Sequence, residues 1–217
     1  MYPANDRDRT VPNLDMSPAR SGIFTPGIAR LELNADNLAR FNATLARVNP
    51  NVPPCTAEQI AGSARRVLRA SAKGVDMPFI RLRLRRAAEI RAAYVDTCWH
   101  VPVDLYAIMG AIVDYIDDGE HHLISRDMAV IGQLDDALLV DAAMDTLRGE
   151  LNEYAEFCRF RQAEAARIGL PASALALDRE HWRRECDQEL LFEQQLRRVR
   201  ATRYTRAESA ADGFRVG

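Results

Sequence analysis

The residues best placed to do chemistry lie in Val130-Ile-Gly-Gln-Leu-Asp-Asp-Ala-Leu-Leu-Val140. Two adjacent carboxylates, Asp135 and Asp136, follow a glycine turn and open a long apolar-periodic stretch. At a helix N-terminus one carboxylate serves as cap or dipole partner. The second needs a further reason. Asp141 extends the pair to a DDxxxxD pattern. Carboxylates so spaced on a helix can hold Mg²⁺ or another divalent cation with a diphosphate, because hard cations take several oxygen ligands. Acidic helices also give this spacing by chance.

Tyr115-Ile-Asp-Asp118 echoes Gln133-Leu-Asp-Asp136 eighteen residues upstream. Asp114, Asp117 and Asp118 fall at the C-terminal end of an apolar segment, where the helix dipole disfavours anions by ~0.3–1 kcal/mol each. Asp114 and Asp118 are also an i,i+4 like-charge pair. These placements call for a compensating cation, either an arginine of the 65–91 segment, which is favoured, or a metal ion. The candidate metal ligands are therefore Asp135, Asp136, Asp117, Asp118 and Asp114. Asp118-Gly-Glu-His121 and Asp178-Arg-Glu-His181 each set a carboxylate three residues before a histidine, and His122 follows His121. Carboxylate-x-x-His units build di-metal sites in helical bundles. The first copy, however, contains a glycine in an expected turn.

Charge is segregated along the chain. Residues 65–91 hold nine basic and two acidic residues, and residues 114–156 hold twelve acidic residues and two arginines. The plain explanation is that the two segments pack and their charges pair. The functional alternative is an anion-binding face at Arg81, Arg83, Arg85 and Arg86, with planar guanidinium groups suited to phosphate. No aromatic interleaving accompanies those arginines, so nucleic acid is not an expected partner. The overall net charge of −2 adds no bias toward nucleic acid, and any membrane contact would be peripheral. Lys73 is the only lysine among 29 basic residues, a bias that fits a GC-rich genome and discounts arginine counting as an argument.

No nucleophile elbow, P-loop or dinucleotide fingerprint occurs. Cys55, Cys98, Cys158 and Cys186 form no close pair and read as small core side chains. The N-terminus lacks a secretory h-region, and the longest apolar runs fall well short of the ~20 residues needed to span a bilayer. The expected location is cytoplasmic.

The elements that must position these residues are helical. A hydrophobic fraction of 47% and a charged fraction of 28% suit a globular domain. Residues 1–33, rich in Pro, Asp, Arg and Asn, predict an extended or flexible arm, with a short extended piece at 28–33. A helix is expected after Asn34 or Asp36, with Leu38, Phe41, Leu45 and Val48 on one stripe. Thr56-Ala-Glu-Gln59 predicts a capping box opening a second helix that stops at Gly74. Pro78 opens a third. Val103–Ile116, apolar around most of its circumference, predicts a central buried helix. A long helix then runs from the Asp135-Asp136 pair to about Ala166. Its stripe of Ala137, Val140, Met144, Leu147, Leu151, Tyr154 and Cys158 approaches a 3.5-residue period, which favours lengthwise helix packing. Gly169-Leu-Pro171 ends it, and a last helix covers about 178–204 before a frayed tail, 205–217. The expected fold is all-α: about six helices in one domain over 34–204, two of them long and C-terminal.

The run from Leu123 to about Arg161 resembles the core of the YkvA-like bacterial domain of unknown function. The matching residues are Ile131-Gly132 and Leu134-Asp135-Asp136-Ala137-Leu138, followed by the apolar helix. Ile124-Ser125-Arg126-Asp127 corresponds to the family's serine–proline–aspartate entry, with Arg126 in place of proline. The family's Pro-Asp-x-Ile-Pro turn is shortened here to Met128-Ala-Val130. The resemblance implies a small helical module without established activity, marked by Asp135 and Asp136.

The functional expectation is a helical interaction or regulatory module without catalysis, its partner a protein or a second copy. The alternative is a metal-dependent enzyme acting on a phosphorylated substrate. It would use the Asp clusters for Mg²⁺ or another divalent cation and the arginines for phosphate.

Overall fold

A computed structural model describes residue 31, residues 33–74 and residues 78–211, with side chains as far as Ala201. The expected arm, apart from residues 31 and 33, and residues 212–217 of the expected tail lie outside the described residues; the last helix continues to Ala211, past its expected end near 204. Six α-helices account for the architecture: α1 Ala35–Val48, α2 Ala57–Ala72, α3 Phe79–Val95, α4 Val103–Asp117, α5 Leu134–Ile168 and α6 Arg179–Ala211. No strand occurs among the described residues, so the protein is all-α, with two long C-terminal helices. No described helix is long and apolar enough to cross a membrane.

Local chemistry sets the helix ends. The Asn34 side chain caps α1 by accepting from Asp36 N at 2.7 Å and Asn37 N at 3.3 Å. The capping box on α2 is complete: Thr56 N donates to Gln59 Oε1 at 2.8 Å, and Gln59 N to Thr56 Oγ1 at 3.3 Å. Beyond α2, Gly74 takes a φ of 68°, a conformation that costs a residue with a Cβ more than glycine.

The chain divides into two compact units. The first comprises the described residues up to Val95 together with Val101–Leu151. Its core gathers Phe41 and Leu45 of α1, Ile60, Ala64 and Val67 of α2, and Tyr115 of α4. Cys55 before α2, Leu123, Ile124 and Ile131 of the α4–α5 connection, and Leu134 and Leu139 of α5 complete it. The long connection is therefore built into the core. Asn42 pins the proline-bearing α1–α2 link, donating to Cys55 O at 2.9 Å and accepting from Cys55 N at 2.8 Å.

Charge segregation resolves inside this unit into pairing. Arg83 of α3 binds Asp141 of α5, with Nε donating at 2.7 Å. Arg91 of α3 binds Asp117 at the end of α4. One expectation needs correction. α4 is buried from Met109 to Val113 and again at Tyr115, but Val103 and Tyr106 near its start are exposed. Tyr106 instead stacks on Tyr94 of α3, ring centroids 4.5 Å apart, so the apolar circumference reflects aromatic pairing at the surface as well as burial.

The second unit comprises Asp96–His100 and the chain from Asn152. Trp99, Tyr154, Phe157 and Trp182 pack ring on ring, with Trp99 centroids 5.2 to 5.7 Å from the other three. The Arg179 guanidinium lies 4.1 Å from the Trp99 ring centroid and donates to Glu153 at 3.0 Å.

Candidate metal centre

The centre is assembled by the first turn of α5 and the connection before it. Asp135 and Asp136 stand in that first turn, where the helix dipole favours negative charge. Both are fully buried, which the dipole alone does not explain. Burying a carboxylate is costly unless its oxygens are hydrogen-bonded or paired.

One oxygen of each carboxylate meets that requirement. Asp135 Oδ2 accepts from the Tyr115 hydroxyl at 2.8 Å, from Leu123 N at 2.9 Å and from Ile124 N at 3.4 Å. Asp136 Oδ2 accepts from the Arg126 guanidinium at 3.3 Å. Arg126 also donates to the Ile116 carbonyl near the end of α4, so it ties that end to the start of α5. Burial, and then the Asp135 charge, push the Tyr115 hydroxyl well up, so it stays protonated and donates.

The other oxygen of each carboxylate is left over. Asp135 Oδ1 and Asp136 Oδ1 are shielded from solvent and have no hydrogen-bond partner, and the same holds for both ring nitrogens of His122. His122 is buried, its ring edge-on to Tyr115 at a centroid distance of 5.5 Å. Its backbone is held by α1, where Asn37 Nδ2 donates to His122 O at 2.9 Å. Nδ1 lies 3.4 Å from Asp136 Oδ1 and 3.8 Å from Asp135 Oδ2. Ligand atoms of His122, Asp135 and Asp136 all lie within 4.8 Å of one another.

Electrostatics agree with geometry. Burial, and then the neighbouring Asp135 charge, push Asp136 up to about 7 against the pull of Arg126. Burial, and then the Arg126 charge, push His122 down, toward the neutral imidazole. Two crowded carboxylates and a neutral buried imidazole are short of positive charge at their centre. Neutral imidazole and carboxylate are the forms that ligate metals. Bonds of ~2.0–2.2 Å set tetrahedral ligands roughly 3.3–3.6 Å apart, which matches the separation of His122 Nδ1 and Asp136 Oδ1.

Gly132 lets the connection close. A Cβ there would sit 2.7 to 2.9 Å from the carbonyl oxygens of Arg126, Met128 and Ser125. The turn therefore folds around a bare α-carbon, with Gly132 N donating to Met128 O at 2.8 Å.

The remaining candidates lie apart from this chemistry. Asp114 is exposed. Asp117 is held low by its hydrogen bond to Arg91. Asp118 is held low by His121, at 3.0 Å, and by Glu120 N, and it also pairs with Arg40 of α1. The aspartates that end α4 thus draw arginines, one from the expected segment and one from α1. Asp141 is engaged by Arg83, so DDxxxxD is not a single ligand set. Arg86 pairs with Glu89 at 2.6 Å, while Arg81 and Arg85 lie exposed on α3. The two Asp-x-x-His units fold into local pairs, His121 with Asp118 and His181 with Asp178, the second at 2.8 Å.

Sequence reasoning noticed His122 but did not select it over His121. The usable signal was its setting: His122 precedes Leu123-Ile124, whereas His121 follows an acidic turn. Tyr115 and Arg126 were missed because their roles depend on the path of the connection. Comparisons with protein-family models, curated proteins and solved structures found no match.

Proposed function

We propose that this protein is a divalent-cation-binding helical module whose ion is held by His122, Asp135 and Asp136. One observation carries the reading. Two side-chain and two backbone donors satisfy Asp135 Oδ2 and Asp136 Oδ2, yet Asp135 Oδ1, Asp136 Oδ1 and the His122 ring nitrogens are left without a hydrogen bond and out of solvent. Proton sharing between the carboxylates would serve at most two of these four atoms and neither ring nitrogen. A cation would serve His122 Nδ1 and Asp136 Oδ1, 3.4 Å apart, together, with Asp135 as its third ligand.

The donor set points to a transition ion such as Zn²⁺, Mn²⁺ or Co²⁺ over Mg²⁺ or Ca²⁺, because imidazole suits the former and all-oxygen sets suit the latter. The ion's role would be organisational. It would join the connection at His122 to the start of α5, and so couple cation occupancy to the packing of the first unit. Interaction or regulation suits such a module better than catalysis on a phosphorylated substrate. The ligand atoms are closed to solvent, and Arg83 and Arg86 already engage carboxylates. On this reading the Asp-Asp pair that resembles the YkvA-like signature exists because two carboxylates are needed to balance the ion.

The test is thermal unfolding of chelator-treated protein with Zn²⁺, Mn²⁺, Co²⁺, Mg²⁺ and Ca²⁺ added singly. A specific ion present at a hundredfold excess over its Kd stabilises by about 2.7 kcal/mol. At least one transition ion should raise Tm, and His122→Ala should abolish the rise while His181→Ala keeps it. No rise with any ion, together with no bound metal by mass spectrometry, overturns the proposal.

A further inference from the structure

Every residue of α6 from Arg183 to Ala201 is exposed. Isolated helices in water are marginal, and most helical stability in proteins comes from packing an apolar face. Phe192, Leu196 and Val199 stand at i, i+4 and i+7, which makes one stripe, and they are 61%, 40% and 51% exposed. The same helix is polarised. Residues 185–193 carry four acidic side chains and no basic one, and residues 197–206 carry five arginines and no acidic residue.

We propose that this stripe is the interface of a homodimer in which α6 pairs antiparallel with α6 of a second copy. The charge order selects both occupant and orientation. An antiparallel copy lays the acidic segment of each helix along the basic segment of the other, whereas a parallel copy would oppose like charges. With the stripe at the seam positions of a two-stranded coil, Leu196 packs against the partner's Val199. Glu193 and Arg200 then occupy the flanking position that faces its counterpart across the pair. Glu193 comes level with the partner's Arg200, twice per dimer.

Sedimentation equilibrium at low salt should give twice the 24.4 kDa chain mass, falling toward the monomer as salt rises. Leu196→Asp should give a folded monomer that loses helical circular dichroism only from the exposed part of α6, because the residue lies outside any core. Glu193→Arg alone and Arg200→Glu alone should each weaken association by at least tenfold. An equimolar mixture of these two variants should associate again, because both cross-pairs become attractive. A wild-type monomer at tens of micromolar, a dimer indifferent to Leu196→Asp, or a mixture no better than its components overturns the proposal.

Discussion

Two carboxylate clusters in this chain, one part-buried and one fully buried, solve opposite problems. In the second unit Asp96 has no acceptor capacity to spare. Arg161 donates to its two oxygens at 2.8 and 3.4 Å, Tyr154 adds its hydroxyl at 3.1 Å, and Cys98 N donates at 3.0 Å. Burial pushes Asp96 up, but these donors outweigh it and hold the carboxyl below its ordinary range. In the first unit Asp136 is pushed the other way, to about 7, and faces an imidazole that is itself pushed toward neutrality. Asp96 reads as architecture because its partners are all protein groups. The His122, Asp135 and Asp136 cluster reads as a site because the protein supplies partners for only half of it.

Substitution should separate the two clusters most clearly. Asp96→Asn removes the charge that Arg161 and Tyr154 are arranged around. Breaking a part-buried, charge-assisted network should cost about 2–3 kcal/mol, with no dependence on metal. Asp136→Asn in metal-free protein removes a buried charge that is poorly compensated. It should leave stability unchanged or raise it, and should abolish the Tm rise produced by the ion. Urea unfolding of both variants, with and without the ion, checks the crossover. If Asp136→Asn destabilises metal-free protein as much as Asp96→Asn does, the distinction fails.

Gly132→Ala attacks the frame of the site rather than its ligands. The added Cβ would meet three backbone carbonyl oxygens, which cannot swing aside as side-chain atoms can. Overpacking of this kind costs about 1–3 kcal/mol. Because the same turn leads into Asp135 and Asp136, the ion response should fall along with stability. The corresponding change at Gly149, which has nothing within 4 Å of a Cβ, should be harmless to both. Thermal unfolding of the two alanine variants with the ion present measures the contrast.

The pH dependence follows from the Asp96 shift. Its pKa in the folded protein lies below the unfolded value of ~3.9, so the folded state favours the ionised form. The stabilisation is fully present above the unfolded pKa and is lost as pH falls through the folded one. The gap in stability between wild type and Asp96→Asn should therefore be constant from pH 5 upward and should close in acid. A gap that does not narrow as pH falls below the unfolded value of ~3.9 would mean that packing at Asp96, and not its charge, carries the effect.

Helix placement was legible because it depends on neighbours in sequence. Asn34, the Thr56–Gln59 box, Gly74 and the stripe from Ala137 to Leu151 act within a few residues, and each sits where its pattern puts it. The site was half legible. An Asp-Asp pair in a helical first turn can be read directly, but its partners come from Tyr115 and His122, whose approach depends on a connection without periodicity. The aspartates that end α4 were flagged for the right electrostatic reason, and the cations that meet them are Arg40 and Arg91. Sequence shows that a charge needs a partner; only the chain's path decides between a guanidinium and a ligand set.

Val130 offers the finest test of whether the first unit is shaped around its site. Its φ of 74° lies in the left-handed region, where a β-branched residue is strained by roughly 1–2 kcal/mol. The side chain is half exposed, so little burial offsets that strain. Asparagine tolerates the region and, unlike glycine, adds little freedom to the unfolded chain. Val130→Asn should therefore stabilise the protein by about 1 kcal/mol, measured by urea unfolding. The ion-dependent rise in Tm discriminates further. If it is unchanged, the strain is incidental to the turn. If stability improves while the ion response weakens, the strained residue is helping to hold His122 and the Asp pair at ligand spacing. Strain at Val130 would then belong to the site and not to the turn alone.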